Sequence, residues 1–290
     1  MEHFAIKSPP TGLQITAQDH VIRLKWHRLR RSLRDPLFSV DVLHEGFRVG
    51  ASMELDLRVR WDGGFVVLHD DDLRRETTGR GLINGMTRDD LSAVRLKDDL
   101  RPLLFSEDLA EQLSSGHPEA LLQFDMKDDF ETVGPAGVRH LVEHFGSQTQ
   151  SLIISADCLH LITAMAEQLP DLRRGIDPTY RLIAAFKGGG AAQVEADLKA
   201  EITGPTEPDM IYLAWPLLLQ LHQAGLDMVA LCQAEGKQVD AWTFTPCNLA
   251  TGLTPVEREH FLAIAAMKPN QLTTDEAVAL ERAWVDLTAS

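Results

Sequence analysis

Two short motifs carry most of the side chains with which this sequence could do chemistry. Glu54 and Asp56 are separated by one residue, so in an extended strand both carboxylates point to the same side. Oxygen ligands of this kind favour a hard divalent cation such as Mg²⁺ or Ca²⁺. His27 and His69 flank this pair along the chain, and an imidazole can donate or accept a proton near neutral pH. Together these residues predict metal-assisted proton transfer at a phosphate ester.

The segment 121–127 is the second candidate stretch. Its polar and apolar residues alternate, which places Gln123, Asp125 and Lys127 on one face of a strand. An inward carboxylate followed by a lysine suits a metal ligand next to a phosphate contact, and Arg28 could add positive charge. The alternative for this segment is a surface ladder of salt bridges. Taken singly, the acidic and histidine positions could equally be solvated side chains; their combination favours a site.

The pattern of the chain predicts how these residues are positioned. Short β-like runs alternate with amphipathic helical stretches, and we predict strands at 21–26, 52–59, 65–68, 120–127, 151–155, 172–176, 210–214, 239–244 and 271–273. Repeated strand-then-helix units without a second-domain signal predict an α/β fold, a single (β/α)8 TIM barrel. The domain would span 1–290, with 1–20 as an N-terminal extension and 277–290 as a C-terminal helix. In such barrels the active site lies at the carboxyl ends of the strands, where Trp242 also falls.

Helix and loop signals complete this expectation. Apolar residues recur at helical spacing after 40 and after 159, and Thr254-Pro255 followed by Glu257 is typical of a capped helix start. The glycine run at 188–190 and the glycine- and proline-containing segment 204–208 predict flexible loops.

Composition narrows the class of protein. The 290 residues are 44% hydrophobic and 24% charged, as in ordinary globular proteins, and the net charge of −15 disfavours nucleic acid and anionic membranes as partners. No apolar run suggests a signal peptide or a membrane span. The three cysteines lack a C-x-x-C spacing, which is typical of reduced thiols. We therefore expect a cytoplasmic enzyme that acts on a small molecule; the oligomeric state is not predicted.

The order of motifs along the chain resembles the glycerophosphodiester phosphodiesterase family. The specific part of the resemblance comprises His27-Arg28, Glu54-x-Asp56, Asp62-Gly63, Val66-Val67-x-His69-Asp70 and Leu73-x-Arg75-x-Thr77-x-Gly79-x-Gly81. Looser similarity continues through Pro102, Glu107, Asp125-x-Lys127, Ser155-x-Asp157, Ala241-Trp242-Thr243 and Thr274-Asp275. The resemblance implies a (β/α)8 barrel, a bound Mg²⁺ or Ca²⁺ ion and hydrolysis of phosphodiesters.

Carried over by position, the resemblance implies a role for each candidate residue. Glu54, Asp56 and Asp125 would be metal ligands, and His27 and His69 the general acid–base pair. Arg28 and Lys127 would contact the phosphate, and Trp242 would be an aromatic residue of the pocket.

The sequence also departs from the family pattern. Leu29 stands where the family has glycine, so we expect the backbone there not to use glycine's conformations. Leu37 and Phe38 replace polar site-lining residues, which predicts a substrate pocket of different shape and wetness. Asp125 replaces a glutamate and is one methylene shorter. These departures indicate a divergent member with an unusual leaving group.

The functional prediction is a metal-dependent phosphodiester hydrolase that cleaves a small soluble glycerol- or sugar-phosphodiester, including an agrocinopine-like one, by two-histidine acid–base catalysis. One alternative is a phospholipase-D-like lyase that cyclises a lipid phosphodiester. Another is a catalytically silent barrel that only binds a phosphorylated ligand, although such a binder would have no need of a proton-transfer pair.

Overall fold

The computed structural model describes residues 10–113, 116–247 and 252–289. Within these ranges the strands are β1 (Gln14–Ala17), β2 (His20–Trp26), β3 (Ser52–Val59), β4 (Phe65–Val67), β5 (Leu121–Met126), β6 (Leu152–Ala156), β7 (Arg173–Ile176), β8 (Met210–Ala214), β9 (Gln238–Trp242) and β10 (Gln271–Thr274). The helices are α1 (Val40–Val49), α2 (Arg88–Leu91), α3 (Ser106–Gln112), α4 (Phe130–Phe145), α5 (Leu159–Gln168), α6 (Thr179–Ile202), α7 (Trp215–Gln223), α8 (Met228–Ala234), α9 (Pro255–Ala266) and α10 (Ala277–Thr288).

Eight parallel strands close into a barrel. The order is β2, β3, β5, β6, β7, β8, β9 and β10, and β10 pairs with β2 to complete the circle. β1 adds to β2 and β4 adds to β3, both antiparallel and outside the barrel. The predicted (β/α)8 TIM barrel is confirmed, and every predicted barrel strand is present with ends shifted by at most two residues.

The helix predictions after residue 40, after residue 159 and at residue 254 are confirmed by α1, α5 and α9, and one loop prediction is wrong. Helix α1 is capped by Ser39, whose hydroxyl accepts a hydrogen bond from the amide of Val42, and α9 begins with a reciprocal capping box between Thr254 and Glu257. The glycine run at 188–190 is not a loop but lies inside α6, where Gly190 interrupts the helical dihedrals with φ 71°. None of the helices in the described ranges has the length and apolar character that crossing a bilayer requires.

Alternation along the strands separates an apolar outer layer from a polar interior. On β3, Leu55 and Leu57 are fully buried and belong to the core between the barrel and its helices. Ser52, Glu54 and Asp56 occupy the other face of the same strand and are also almost fully buried. Barrel interiors are usually filled by branched apolar side chains, so a polar interior marks the place where function is concentrated.

A long connection between β4 and α3 carries its own small core. Residues 68–105 pack around buried apolar side chains including Leu68, Leu73, Ile83 and Leu91. This cluster holds the segment that follows β4 against the barrel mouth, and His69 is the second residue after that strand.

Candidate active site

A cavity of about 620 Å³ opens at the carboxyl ends of the barrel strands. Seven of the eight predicted site residues line it: His27, Arg28, Glu54, His69, Asp125, Lys127 and Trp242. The eighth, Asp56, is only 1% exposed and lies beside Glu54 and Asp125. Residues from five different strands and their following loops are thus brought to one place.

Three carboxylates form the acidic centre of the cavity. β3 and β5 pair in register, with Asp56 opposite Asp125 and Glu54 opposite Gln123. Each of Glu54, Asp56 and Asp125 offers a carboxylate oxygen, and these oxygens lie within 4.8 Å of one another. The chemistry of the set is that of a site for a hard divalent cation, and the three residues fit such an ion.

Asp56 has an unusual environment for a buried carboxylate. Arg28 Nε lies 3.2 Å from one of its oxygens and Lys127 Nζ lies 3.0 Å from the other. Neither contact has the geometry of a hydrogen bond, so both oxygens are buried without a hydrogen-bond donor. The two cations offset the charge of Asp56 but leave its lone pairs free, which is a further reason that the cluster fits a metal ion.

Burial and neighbouring charges shift the pKa values of these groups in different directions. Burial, reinforced by the charge of Asp56, raises the pKa of Glu54 to about 7. Burial opposes the charged form of Asp56 as well, but Lys127 and Arg28 outweigh it and the pKa of Asp56 is lowered. The pKa of Lys127 is raised although burial opposes its charge, because Asp125 and Asp56 face it.

His27 follows β2 and is oriented by an aspartate from the far end of the chain. Its Nδ1 lies 2.9 Å from Oδ1 of Asp275. The same oxygen accepts a hydrogen bond from Arg30 at 2.6 Å, and Oδ2 of Asp275 accepts one from Thr245 at 3.0 Å. Burial alone would raise the pKa of Asp275, but the hydrogen bond and charge of His27 lower it to about 2. Since Nδ1 is engaged, Nε2 is the nitrogen left for proton transfer.

His69, which follows β4, is likewise oriented by an aspartate. Its Nδ1 lies 2.8 Å from Oδ1 of Asp70, whose other oxygen pairs with Arg75 at 2.7 Å. The backbone amides of His69 and Asp70 both donate to Oε2 of Glu76, at 3.0 and 3.1 Å. Glu76 also lies 3.5 Å from Arg28, so one carboxylate joins the His69 segment to the residue after His27.

The turn after β2 corrects the expectation for Leu29. Arg28 and Leu29 both adopt left-handed backbone conformations, with φ of 52° and 51°, although neither is glycine. This turn directs the Arg28 amide to Oε2 of Glu54 at 2.7 Å. Leu29 therefore uses the conformation that glycine favours and bears its steric cost.

The expected change of pocket lining by apolar residues is wrong. Leu29 and Phe38 are fully buried members of the hydrophobic core, and Leu37 packs against that core. None of the three lines the cavity. Their apolar character is explained by packing beneath the turn after β2, because a non-polar side chain is stabilised by burial there.

Several residues of the cavity were missed by the sequence reasoning. Arg58 donates to the carbonyl oxygens of His69 at 2.8 Å and Lys127 at 2.7 Å, and so ties the two segments together. Its position two residues after Asp56, on the same strand face, was an available signal. Further lining residues without a predicted role are Lys25, Gln123, Asp157, Cys158, Asp177, Tyr180 and Tyr212.

Solved structures share this fold over almost their whole length. A glycerophosphodiester phosphodiesterase from Parabacteroides distasonis is 15% identical with a TM-score of 0.66, covering 91% of this chain and 97% of that one. One from Thermotoga maritima is 18% identical with a TM-score of 0.62, covering 92% and 99%. An Oleispira antarctica phosphodiesterase in complex with sn-glycerol-3-phosphate is 17% identical with a TM-score of 0.64, covering 91% and 96%. No curated protein matches the sequence.

The site thus combines a closed α/β barrel with a carboxylate cluster and two aspartate-oriented imidazoles at the carboxyl ends of the strands. Residues 40–135 match the model of the glycerophosphoryl diester phosphodiesterase family, a range that includes Glu54, Asp56, His69 and Asp125. Over that range the chain is similar to this family. His27, Arg28 and Trp242 lie outside the matched range and join the site through the closure of the barrel.

Proposed function

We propose that this protein is a metal-dependent hydrolase that converts a small soluble glycerol- or sugar-phosphodiester into an alcohol and a phosphomonoester. The observation that carries the proposal is the convergence of two aspartate-oriented imidazoles on the cavity that the carboxylate cluster also lines. A barrel that only bound a phosphorylated ligand would have no use for a pair of proton-transfer groups.

Glu54, Asp56 and Asp125 would hold the divalent cation, Mg²⁺ or Ca²⁺. Their all-oxygen donor set favours these ions over zinc. When bound, the ion would polarise the phosphoryl oxygens and acidify a nucleophilic water or hydroxyl.

His27 and His69 would move the protons of the reaction. One imidazole accepts a proton from the attacking water as its oxygen bonds to phosphorus. The other donates a proton to the oxygen of the departing alcohol as its bond to phosphorus breaks. Either histidine can serve as the acid or as the base, because each has an aspartate on Nδ1.

Arg28, Lys127 and Trp242 would bind the substrate. Arg28 and Lys127 are held beside Asp56 and border the cavity, so they can offset the charge that builds up on the phosphoryl oxygens. Trp242, at the end of β9, offers an aromatic face on which a glycerol or sugar group could pack.

Two observations support a small phosphate ester as the ligand. The cavity has the size of small-molecule sites, and a fold neighbour is described in complex with the product sn-glycerol-3-phosphate.

The net charge of −15 argues against nucleic acid or an anionic membrane as a partner.

The test is a panel of glycerol- and sugar-phosphodiesters incubated with the protein and Mg²⁺ or Ca²⁺, with products identified by phosphorus NMR. The proposal expects a phosphomonoester and an alcohol. A cyclic phosphate as the final product would favour the lyase alternative, and no turnover with tight binding of the phosphomonoester would favour the silent barrel.

A further inference from the structure

A chain of buried polar side chains crosses the barrel interior at the floor of the cavity, which Lys25 and Gln123 line. Lys25 on β2 donates to Oε1 of Gln123 on β5, and Gln123 Nε2 donates to Ser155 Oγ on β6 at 2.8 Å. Ser155 Oγ in turn donates to Oδ1 of Asp125 at 3.0 Å. The side chain of Asp125 is 25% exposed, whereas Lys25, Gln123 and Ser155 are each at most 4% exposed, so the chain leads from the interior to the cavity.

The direction of every hydrogen bond in this chain is dictated by its two ends. The ammonium group of Lys25 has only donors, so Gln123 must present its carbonyl oxygen to it and its amide group to Ser155. A carboxylate has only acceptors, so Ser155 must give its single proton to Asp125. The chain has one consistent arrangement and no alternative that satisfies both ends.

The inner end of the chain is itself fixed. Lys25 Nζ lies 2.9 Å from Oδ2 of Asp240, a residue with no exposed surface, and Thr273 donates to the other oxygen of Asp240 at 2.6 Å. Lys25 also lies over the ring of Tyr212, 4.4 Å from its centroid. A buried, paired charge of this kind cannot easily move without leaving its partner unpaired.

We propose that Gln123 and Ser155 are positioning residues for the metal site, which hold Asp125 in the orientation its ligand role requires and are anchored by the Lys25–Asp240 pair. The inference rests on the proposed metal-ligand function of Glu54, Asp56 and Asp125. Lys127 holds Oδ2 of Asp125 and Ser155 holds Oδ1, so the carboxylate is restrained from both sides. Outer partners that restrain a ligating carboxylate typically change metal affinity by about 10- to 100-fold when removed.

The test is calorimetric titration of the metal-free protein with Mg²⁺ and with Ca²⁺, which measures affinity without activity. Ser155→Ala removes the hydrogen bond to Asp125, and Gln123→Met breaks the chain one step earlier. We expect each variant to bind the cation about 10- to 100-fold more weakly. The double variant should be no weaker than Ser155→Ala alone, because both changes interrupt the same chain.

Ser52→Ala is the matched control. Ser52 is equally buried inside the barrel, but it bonds to Gln271 and does not belong to this chain. Its loss should leave the affinity unchanged, and thermal unfolding in excess chelator compares the folding of all variants. If Gln123→Met does not fold, Ser155→Ala alone decides.

The outcomes separate the inference from the function on which it rests. If the wild-type protein binds neither cation, or binds as well after Glu54→Gln, the proposed metal site and this inference both fail. If the wild-type protein binds and Ser155→Ala binds equally well, the positioning role is wrong while the metal site stands. Additive losses in the double variant would contradict a single connected chain.

Discussion

Asp275 accepts a hydrogen bond from Nδ1 of His27 across 248 residues of sequence, at a distance of 2.9 Å. The contact joins the first and the last strands of the barrel, so the orientation of this imidazole depends on ring closure.

We predict that Asp275→Asn lowers turnover because an amide supports the imidazolium less well than a carboxylate. The loss should be smaller than that caused by removing His27 itself, and steady-state kinetics with matched folding by circular dichroism would show it. Unchanged turnover in Asp275→Asn would mean that the contact is only structural.

Removal of either imidazole should cost roughly 10²–10⁴-fold in turnover, the scale of one positioned proton-transfer group. His27→Ala and His69→Ala are the variants, and phosphorus NMR or a coupled assay measures the rate. His44→Ala is the control, because His44 is exposed on α1 away from the cavity and should retain normal activity. Near-normal turnover in both active-site variants would refute the acid–base mechanism.

Chelation should abolish activity, and added Mg²⁺ or Ca²⁺ should restore it. Glu54→Gln keeps the size of the side chain but removes the charge, so ordinary metal concentrations should not rescue it. Asp157→Asn is the comparison, since Asp157 also lines the cavity but does not belong to the carboxylate cluster. Elemental analysis after dialysis measures the bound ion; full activity in excess chelator would end the metal proposal.

Trp242→Ala should raise KM more than it lowers kcat, because an aromatic face contributes to binding in the ground state as well as in the transition state. Trp242→Phe should recover part of the affinity, since a ring remains to pack against the substrate. Kinetics with a sugar-phosphodiester and with glycerophosphocholine would provide the measurement. An unchanged KM in Trp242→Ala would restrict this residue to packing.

Glu107→Gln should destabilise the protein by about 1–2 kcal/mol, because buried Arg60 would lose one of its two anionic partners while Asp62 remains and solvent screens the partly exposed Glu107. Burial opposes the charge of Glu107, but hydrogen bonds from Arg60 outweigh it and lower its pKa from 4.5 to about 2. Since the folded-state pKa is depressed, the stabilisation is fully present above about pH 4.5 and is lost as pH falls towards 2.

Chemical unfolding of wild type and Glu107→Gln from pH 7 down to pH 3 would measure this difference. Glu45→Gln is the control, because its pair with Arg48 lies at the surface and should contribute little to stability. A difference between wild type and Glu107→Gln that stays constant over this range would contradict the assignment of Glu107.

The parts of the site that follow a local pattern could be predicted from the sequence. Glu54, Asp56 and Asp125 were found because alternation in a strand relates residues two apart, and parallel strands end at the same rim. The same reasoning predicted the barrel, since each strand and helix has its own periodicity.

The parts that depend on ring closure could not be predicted in this way. Asp275 and Arg30 contact each other, yet nothing in either segment indicates the other as its partner. Alternation places Gln123 on the same strand face as Asp125. Its hydrogen bonds could not be predicted, because its partners Lys25 and Ser155 lie on two other strands. Leu37 and Phe38 were expected to line the pocket, but they pack against or within the core. A local pattern does not show whether a loop residue next to a site faces the cavity or the core.

The left-handed turn at Leu29 has a consequence for engineering this protein. Glycine would relieve a steric cost of about 1–2 kcal/mol at such a position. Leu29 is fully buried, however, and truncating a buried leucine to alanine already costs about 2–5 kcal/mol. Restoring the family's glycine would therefore loosen the very loop that aims the Arg28 amide at Glu54. We therefore expect Leu29 to be replaceable only when the apolar side chains packed around it are changed at the same time.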